Sequence, residues 1–245
     1  MSTPPVLILG ARSDIGLAVA HAFAQQGHPV QLAARDAASL APDQADIATR
    51  HDVEVTLHEF DALDIEGHDA FVESLADLPE IAVCAVGLMG DQEENTQDIL
   101  AAARVMRSNF EGPAGILAML ANRFETRGTG TLVGISSVAG ERGRATNYIY
   151  GSAKSGFTAF LSGLRNRLAK KGVHVVTVLP GFVNTQMTAG MDLPAPLTAE
   201  PKEVAEKIVK AVSSGRNIVY VRPVWRLIMA IIKAIPEGIF KGMKI

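Results

Sequence analysis

Short runs of β-branched and aliphatic residues alternate along the whole chain with longer stretches whose apolar positions recur three and four residues apart. The short runs are Val6 to Leu9, Val30 to Ala33, Val53 to His58, Ile81 to Ala85, Gly130 to Ile135, Val173 to Leu179 and Asn217 to Val221. Helical spacing opens between them near Ile15, Gln44, Glu66, Asn95, Gly151 and Pro201. Strictly alternating strands and helices are the signature of a parallel sheet covered on both faces. The pattern predicts an α/β fold, a doubly wound parallel sheet of seven strands in three α/β/α layers. Crossovers of that kind are right-handed, and ligands bind at the carboxyl ends of the strands where the strand order reverses. The segment Gln186 to Glu200, with Pro194 and Pro196 among small residues, reads as a long loop and a candidate lid.

Composition narrows the class. A chain of 245 residues is within reach of a single sheet, so residues 1–245 are expected to form one domain, with a helical tail over about 223–245. Hydrophobic residues make up 48% of the chain but aromatics only 5%, which suits an aliphatic core under parallel strands. A net charge of -3 argues against a nucleic-acid partner, which would need a basic surface. Cys84 is the single cysteine, so no internal disulfide forms, and Met1 leads through Pro4 and Pro5 straight into an apolar strand. A reducing cytoplasm is the expected location. None of the six histidines stands at ligand spacing from a carboxylate or cysteine, so no metal site is expected.

The turn after the first strand reads Gly10-Ala11-Arg12-Ser13-Asp14-Ile15-Gly16 and opens a helix. Glycine lets a backbone approach a pyrophosphate closely, and a helix N-terminus offers it free N–H groups and partial positive charge. A tight strand-to-helix connection would look similar, but the position in the first βα unit favours a dinucleotide. Asp14 either caps the helix through its side chain or lies close enough to phosphate to weaken binding, with the cap preferred. After the second strand comes Ala33-Ala34-Arg35-Asp36. An NAD enzyme places an acid on the ribose at this point, and here Ala34 is neutral. Arg35 and Arg12 offer guanidinium forks to a 2′-phosphate, so NADP(H) is expected ahead of NAD(H), unless Arg35 is simply a solvated loop residue.

Tyr150 and Lys154 stand four apart at the start of a long amphipathic helix and so share a face. A nearby ammonium and the positive nicotinamide both favour the phenolate, which would bring a tyrosine with a free pKa near ~10 toward useful acid and base chemistry. Tyr148 has only Ser152 four residues beyond it. Ser137 closes the fifth strand, where its hydroxyl can hold a substrate oxygen as charge develops.

These motifs resemble the short-chain dehydrogenase/reductase family, in its classical form, over essentially the whole chain, and the resemblance implies a Rossmann-type fold. Ser137, Tyr150 and Lys154 match the catalytic triad, and Asn109 in Arg107-Ser108-Asn109-Phe110 matches the helix asparagine that completes a tetrad. The resemblance implies that Asn109 and Lys154 hold a water that relays protons to Tyr150. It also implies that Asp61 contacts the adenine, although that residue could equally begin a turn. Pro180-Gly181-Phe182-Val183-Asn184-Thr185 matches the segment in which Val183 and Thr185 hold the nicotinamide carboxamide. Two features depart from the family: Asp14 replaces the middle glycine of the turn, and Cys84-Ala85-Val86-Gly87 replaces Asn-Asn-Ala-Gly. Cys84 reads as a small buried apolar residue.

From Pro223 the chain is apolar with Arg226 and Lys233 on one helix face, too short and interrupted to span a bilayer. It either packs on a subunit interface or over the substrate pocket, or it touches anionic membrane from the side. Together with the turn and Met89-Gly90-Asp91, this tail is similar to the subgroup that contains decaprenylphosphoryl-2-ketoribose reductase. That implies a small-molecule or lipid-linked carbonyl or alcohol as substrate. The family also implies a homodimer or homotetramer. Two other classes remain: a cofactor-binding scaffold that has lost turnover, and a sugar epimerase, which usually carries a larger C-terminal region.

Overall fold

The computed structural model describes residues 3–243; Met1, Ser2, Lys244 and Ile245 lie outside the described residues. Its strands are β1 (Val6–Leu9), β2 (Val30–Ala34), β3 (Val55–Glu59), β4 (Ile81–Cys84), β5 (Gly130–Ile135), β6 (Val173–Leu179), β7 (Phe182–Val183), β8 (Thr198–Ala199) and β9 (Ile218–Tyr220). The helices are α1 (Asp14–Ala24), α2 (Ala41–His51), α3 (His68–Ser74), α4 (Gln92–Gln97), α5 (Ile99–Met106), α6 (Gly112–Arg127), α7 (Tyr148–Leu168), α8 (Pro201–Ser213), α9 (Val224–Ala234) and α10 (Glu237–Phe240).

The main sheet has seven parallel strands in the order β3-β2-β1-β4-β5-β6-β9, the doubly wound arrangement the hydrophobic pattern predicts. Strands β1, β2 and β4 are buried along their whole length, because helices cover both faces. Val6, Ile8, Leu32, Val83 and Val176 point to one face, under α1 and α8. Leu7, Leu9, Ala82, Leu132 and Val175 point to the other, under α6 and α7. Alternation along each strand thus fills two aliphatic layers.

Several boundaries differ from the sequence reading. The third strand starts at Val55 rather than Val53, because Asp52 takes a left-handed conformation (φ 53°) at the end of α2. The helix expected near Asn95 is two, α4 and α5, each capped by an aspartate: Asp91 accepts from the Glu94 N–H and Asp98 from the Leu100 N–H. The expected lid, 186–200, is largely ordered. It folds back so that β8 pairs with β7 in a two-stranded parallel ribbon beside the main sheet. Two-residue strands of this kind carry no periodicity to read.

The tail packs on its own chain. Trp225 and Met229, four apart on α9, are buried against Val138 and Leu179. The Trp225 Nε1–H donates to the Leu197 carbonyl at 3.1 Å, Lys233 pairs with Glu141, and Arg142 pairs with Glu237. The outward side of α9 leaves Leu227 and Ile231 exposed. No helix among the described residues is long and apolar enough to cross a membrane.

Candidate active site

Strand order reverses between β1, whose chain runs outward to β2, and β4, whose chain runs the other way to β5. The loops after these two strands diverge and open a crevice at their carboxyl ends. Gly10 sits at its floor with φ +82°, and a Cβ there would fall 2.9 Å from the Val86 backbone nitrogen. Only glycine takes that backbone conformation without strain, and only glycine allows so close an approach. The helix that follows is capped by Ser13, whose hydroxyl accepts from the Gly16 N–H at 3.0 Å. The cap expected at Asp14 is therefore one residue earlier. Asp14 turns away and accepts from the Gln186 N–H at 2.7 Å.

Two cavities meet at Ala85, Val86 and Gly87. The outer one, about 410 Å³, is lined by Gly10, Arg12, Ser13, Arg35 and Asp61. Arg12 lies beside Arg35, its guanidinium 3.4 Å from the Arg35 carbonyl oxygen and 3.8 Å from the Asp36 carboxylate. An acid thus stands near the arginine pair, two residues later than the neutral Ala34. Asp61 accepts from the Leu63 N–H at 2.9 Å and so also forms the turn. Arg104 and Ser108 join this wall from the far side. No local pattern marks them, because their elements meet the crevice only through the fold.

The inner cavity, about 150 Å³, is lined by Ser137, Tyr150 and Lys154 together with Ile15, Pro180, Gly181, Val183 and Thr185. Asp14 and Gly16 line neither cavity. Gly16 is buried, and a Cβ there would sit 2.7 Å from the Gly10 carbonyl oxygen. Lys154 is buried, its Nζ donating to the Ile135 carbonyl at 2.9 Å and lying 5.8 Å from the centre of the Tyr150 ring. Strand and helix are locked here by Ser136, whose hydroxyl donates to the Lys154 carbonyl at 3.0 Å. Ser137 both faces the cavity and accepts from the Ala139 N–H at 3.1 Å. Tyr148 is exposed, 3.2 Å from the Thr96 hydroxyl, and lines neither cavity.

Asn109 is fully buried in a π-helical turn, Arg107–Glu111, between α5 and α6. Such turns carry one extra residue and often mark functional positions. Its amide donates to the Leu88 and Val105 carbonyls, and its Oδ1 accepts from the Leu88 N–H at 3.4 Å. A Cβ on Gly87 would lie 3.1 Å from Asn109 Oδ1 and 3.6 Å from Lys154 Nζ, so the glycine leaves the two polar groups within one small space. With Cys84 and Ala85 in place of asparagines, the segment is held by the Ala85 N–H to the Leu9 carbonyl (2.8 Å) and by the Asn109 side chain.

Burial dominates the titration of this site. Loss of solvent pushes the Tyr150 phenol up to about 12, against the pull of the Ser137 hydroxyl. It pushes the Lys154 ammonium down to about 8. The lysine was expected to bring the phenol down, but in the chain by itself burial outweighs a cation 5.8 Å from the ring. Cys84 is buried and its thiol is raised to about 11 by desolvation, as befits a core residue rather than a nucleophile.

A family model for short chain dehydrogenases matches residues 5–194. An uncharacterized oxidoreductase of Mycobacterium tuberculosis is 38% identical over 242 residues, 98% of this chain and 96% of that protein. One from Streptomyces coelicolor is 36% identical, over 99% of this chain and 97% of its own length. Among solved structures, a short-chain dehydrogenase from Sphingobium yanoikuyae in complex with NADPH superposes with a TM-score of 0.82 at 25% identity, covering 96% of this chain and 97% of that one. The family match and these relatives make this chain an oxidoreductase. This chain belongs to the short-chain dehydrogenase family.

Proposed function

We propose that this protein is an NADP(H)-dependent carbonyl reductase, or the same enzyme run as an alcohol dehydrogenase, in which Tyr150 is the acid and base. The observation that carries the reading is one cavity lined by Ser137, Tyr150 and Lys154, opening at Gly87 onto a second lined by Gly10, Arg12 and Arg35. The outer cavity suits a dinucleotide. Its pyrophosphate would rest on Gly10, Ser13 and the free N–H groups of the first turn of α1, and its 2′-phosphate between Arg12 and Arg35. Asp61 and the segment Ala85 to Gly87 would border the adenosine, and Pro180, Gly181, Val183, Thr185 and Ile15 the nicotinamide. Asp14, bonded to Gln186, would act by placing the lid instead of touching phosphate.

The chemistry NADPH would supply there, when bound, is a hydride for the carbonyl carbon. Ser137 would hold the carbonyl oxygen, and Tyr150 would give it a proton. Lys154 would keep positive charge beside the forming phenolate, and a water between Asn109 and Lys154 would return the proton. The NADPH held by the Sphingobium relative supports the same coenzyme here.

Met89, Phe182, Met187, Met191 and Trp225 give the inner cavity an apolar, adaptable wall. The substrate would be a ketone with a bulky apolar substituent, up to a lipid-linked one. The exposed side chains Ile99, Leu100, Met106 and Phe110 offer a face on which a second copy would pack. The test is nicotinamide fluorescence on titration with NADPH and NADH, followed by a screen of ketones graded in size. Tight NADPH binding and turnover rising with the bulk of the substituent support the reading. Binding of neither nucleotide would overturn the reading, tight binding with no turnover of any ketone would put a cofactor-binding scaffold in its place, and equal turnover of polyprenyl-type and short ketones would sink the bulky-substrate part.

A further inference from the structure

Arg144 lies in the loop between the 3₁₀ turn after β5 and α7, six residues before Tyr150, and lines the inner cavity with it. It has no carboxylate partner among the described residues, whereas the other cation of this loop, Arg142, is paired with Glu237. The nearest acid in the sequence, Glu141, gives its Oε1 to Lys233 and to the Tyr220 hydroxyl; its Oε2 is buried without a partner, and no hydrogen bond or ion pair joins it to Arg144. The Arg144 Nε is buried with no hydrogen-bond partner, and so is the Oδ1 of Asn147, which lines the same cavity. None of the described residues lining that cavity is an acid. Its polar equipment is two cations, Lys154 and Arg144, and a few neutral groups, set in a largely apolar wall.

Lys154 has its backbone carbonyl and its place beside Tyr150. Arg144 has nothing comparable. Arg144 is half-buried, and a buried Nε–H left without a partner, on a cation with no counter-charge, is costly. Desolvation alone already disfavours its charge, with no opposing carboxylate to restore it. A planar fork with an idle edge, facing a cavity that contains no anion of its own, matches a carboxylate or phosphate in two-point contact. The idle Asn147 oxygen beside it would accept from a hydroxyl next to that anion.

We propose that Arg144 is a specificity-determining residue and that the substrate carries, besides its carbonyl, an anionic group, carboxylate or phosphate, which Arg144 holds. The inference rests on the reading of the inner cavity as the substrate pocket of a carbonyl reductase. It assigns to that pocket an apolar body, a reacting carbonyl near Tyr150 and an anion at the Arg144 end.

Trp225, the single tryptophan, lines the same cavity, so its emission reports occupancy without any need for turnover. The probes are keto carboxylates of graded chain length, their methyl esters, and the matching keto phosphate monoesters, each titrated into the protein with NADPH present. A Tyr150→Phe background keeps binding separate from reaction. At the best chain length an anion should bind about tenfold or more tighter than its neutral ester. The stronger of the two anion series identifies the group. Arg144→Met should bring the anion down to the level of its ester, and Arg144→Lys should recover part of the difference. Equal affinity for anion and ester at every length, or a preference that survives Arg144→Met, overturns the proposal. An anion preference that depends on Arg144, in a wild-type protein that reduces none of the probes, supports this assignment while counting against the reductase reading.

Discussion

The Asp14 carboxylate accepts a hydrogen bond from the Gln186 backbone N–H at 2.7 Å, joining residues 172 positions apart. Asp14 opens α1 at the edge of the crevice, and Gln186 begins the 3₁₀ turn that carries Met187 into the inner cavity. Asp14, standing where the family's turn carries a glycine, thus tethers the crevice floor to the 186–200 segment.

Cutting that tether should loosen the 186–200 segment without unfolding the protein. Asp14→Gly removes one charge-assisted hydrogen bond at a partly exposed site, so the global cost should stay near ~1 kcal/mol. Hydrogen exchange should quicken about tenfold in the segment 186–191 while β1 and β4 are unchanged. Exchange in that segment at the wild-type rate would contradict the tether.

Coenzyme choice should follow the arginine pair. Arg35→Ala should weaken NADPH by about tenfold or more, the worth of a charged hydrogen bond, and leave NADH nearly untouched. Asp36, 3.8 Å from Arg12, competes for its charge, so Asp36→Asn should tighten NADPH a few-fold. Fluorescence titrations measure both, and equal losses for the two nucleotides would remove the 2′-phosphate from the account.

The pH profile should reveal Lys154. Its buried ammonium titrates at about 8, below an ordinary lysine, whereas Tyr150 keeps its proton to about 12. Carbonyl reduction needs the protonated phenol and the charged lysine, so kcat/KM should hold at neutral pH and fall as pH rises through about 8. In Lys154→Arg the residual rate should lack that limb, since the guanidinium stays charged. A limb that persists would belong to another group.

Stability should depend on the seat of the tail. A Cβ on Gly181 would fall 2.0 Å from the Trp225 indole, which anchors α9 beside Val138 and Leu179. Gly181→Ala should cost about 1 to 3 kcal/mol by overpacking, read from urea unfolding. An unchanged midpoint would mean that the indole is free to move.

What was legible in the sequence was what local pattern encodes. The seven core strands lie where apolar runs predict them, and Tyr150 and Lys154 share a wall because helical spacing puts them on one face. What was not legible depends on distant meetings. The ribbon of Phe182–Val183 with Thr198–Ala199 is too short to show a period, and Arg104 reaches the outer cavity only because α5 folds against it. Asp14 could be weighed as a cap or a phosphate-repelling group, but no local rule names Gln186 as its partner. The Tyr150 proton also depends on a distant meeting: spacing reveals the lysine beside it, whereas the desolvation that raises the phenol comes from the assembled wall.

The most direct measurement is the rate of NADPH oxidation by a ketone accepted by the wild-type protein, compared with Tyr150→Phe. Loss of the general acid should lower kcat by about 10²-fold or more. NADPH binding, followed by its fluorescence, should stay within about twofold, because an aromatic ring of the same shape keeps the wall intact. A Tyr150→Phe enzyme that reduces the ketone at the wild-type rate would contradict the assignment of Tyr150 as the acid.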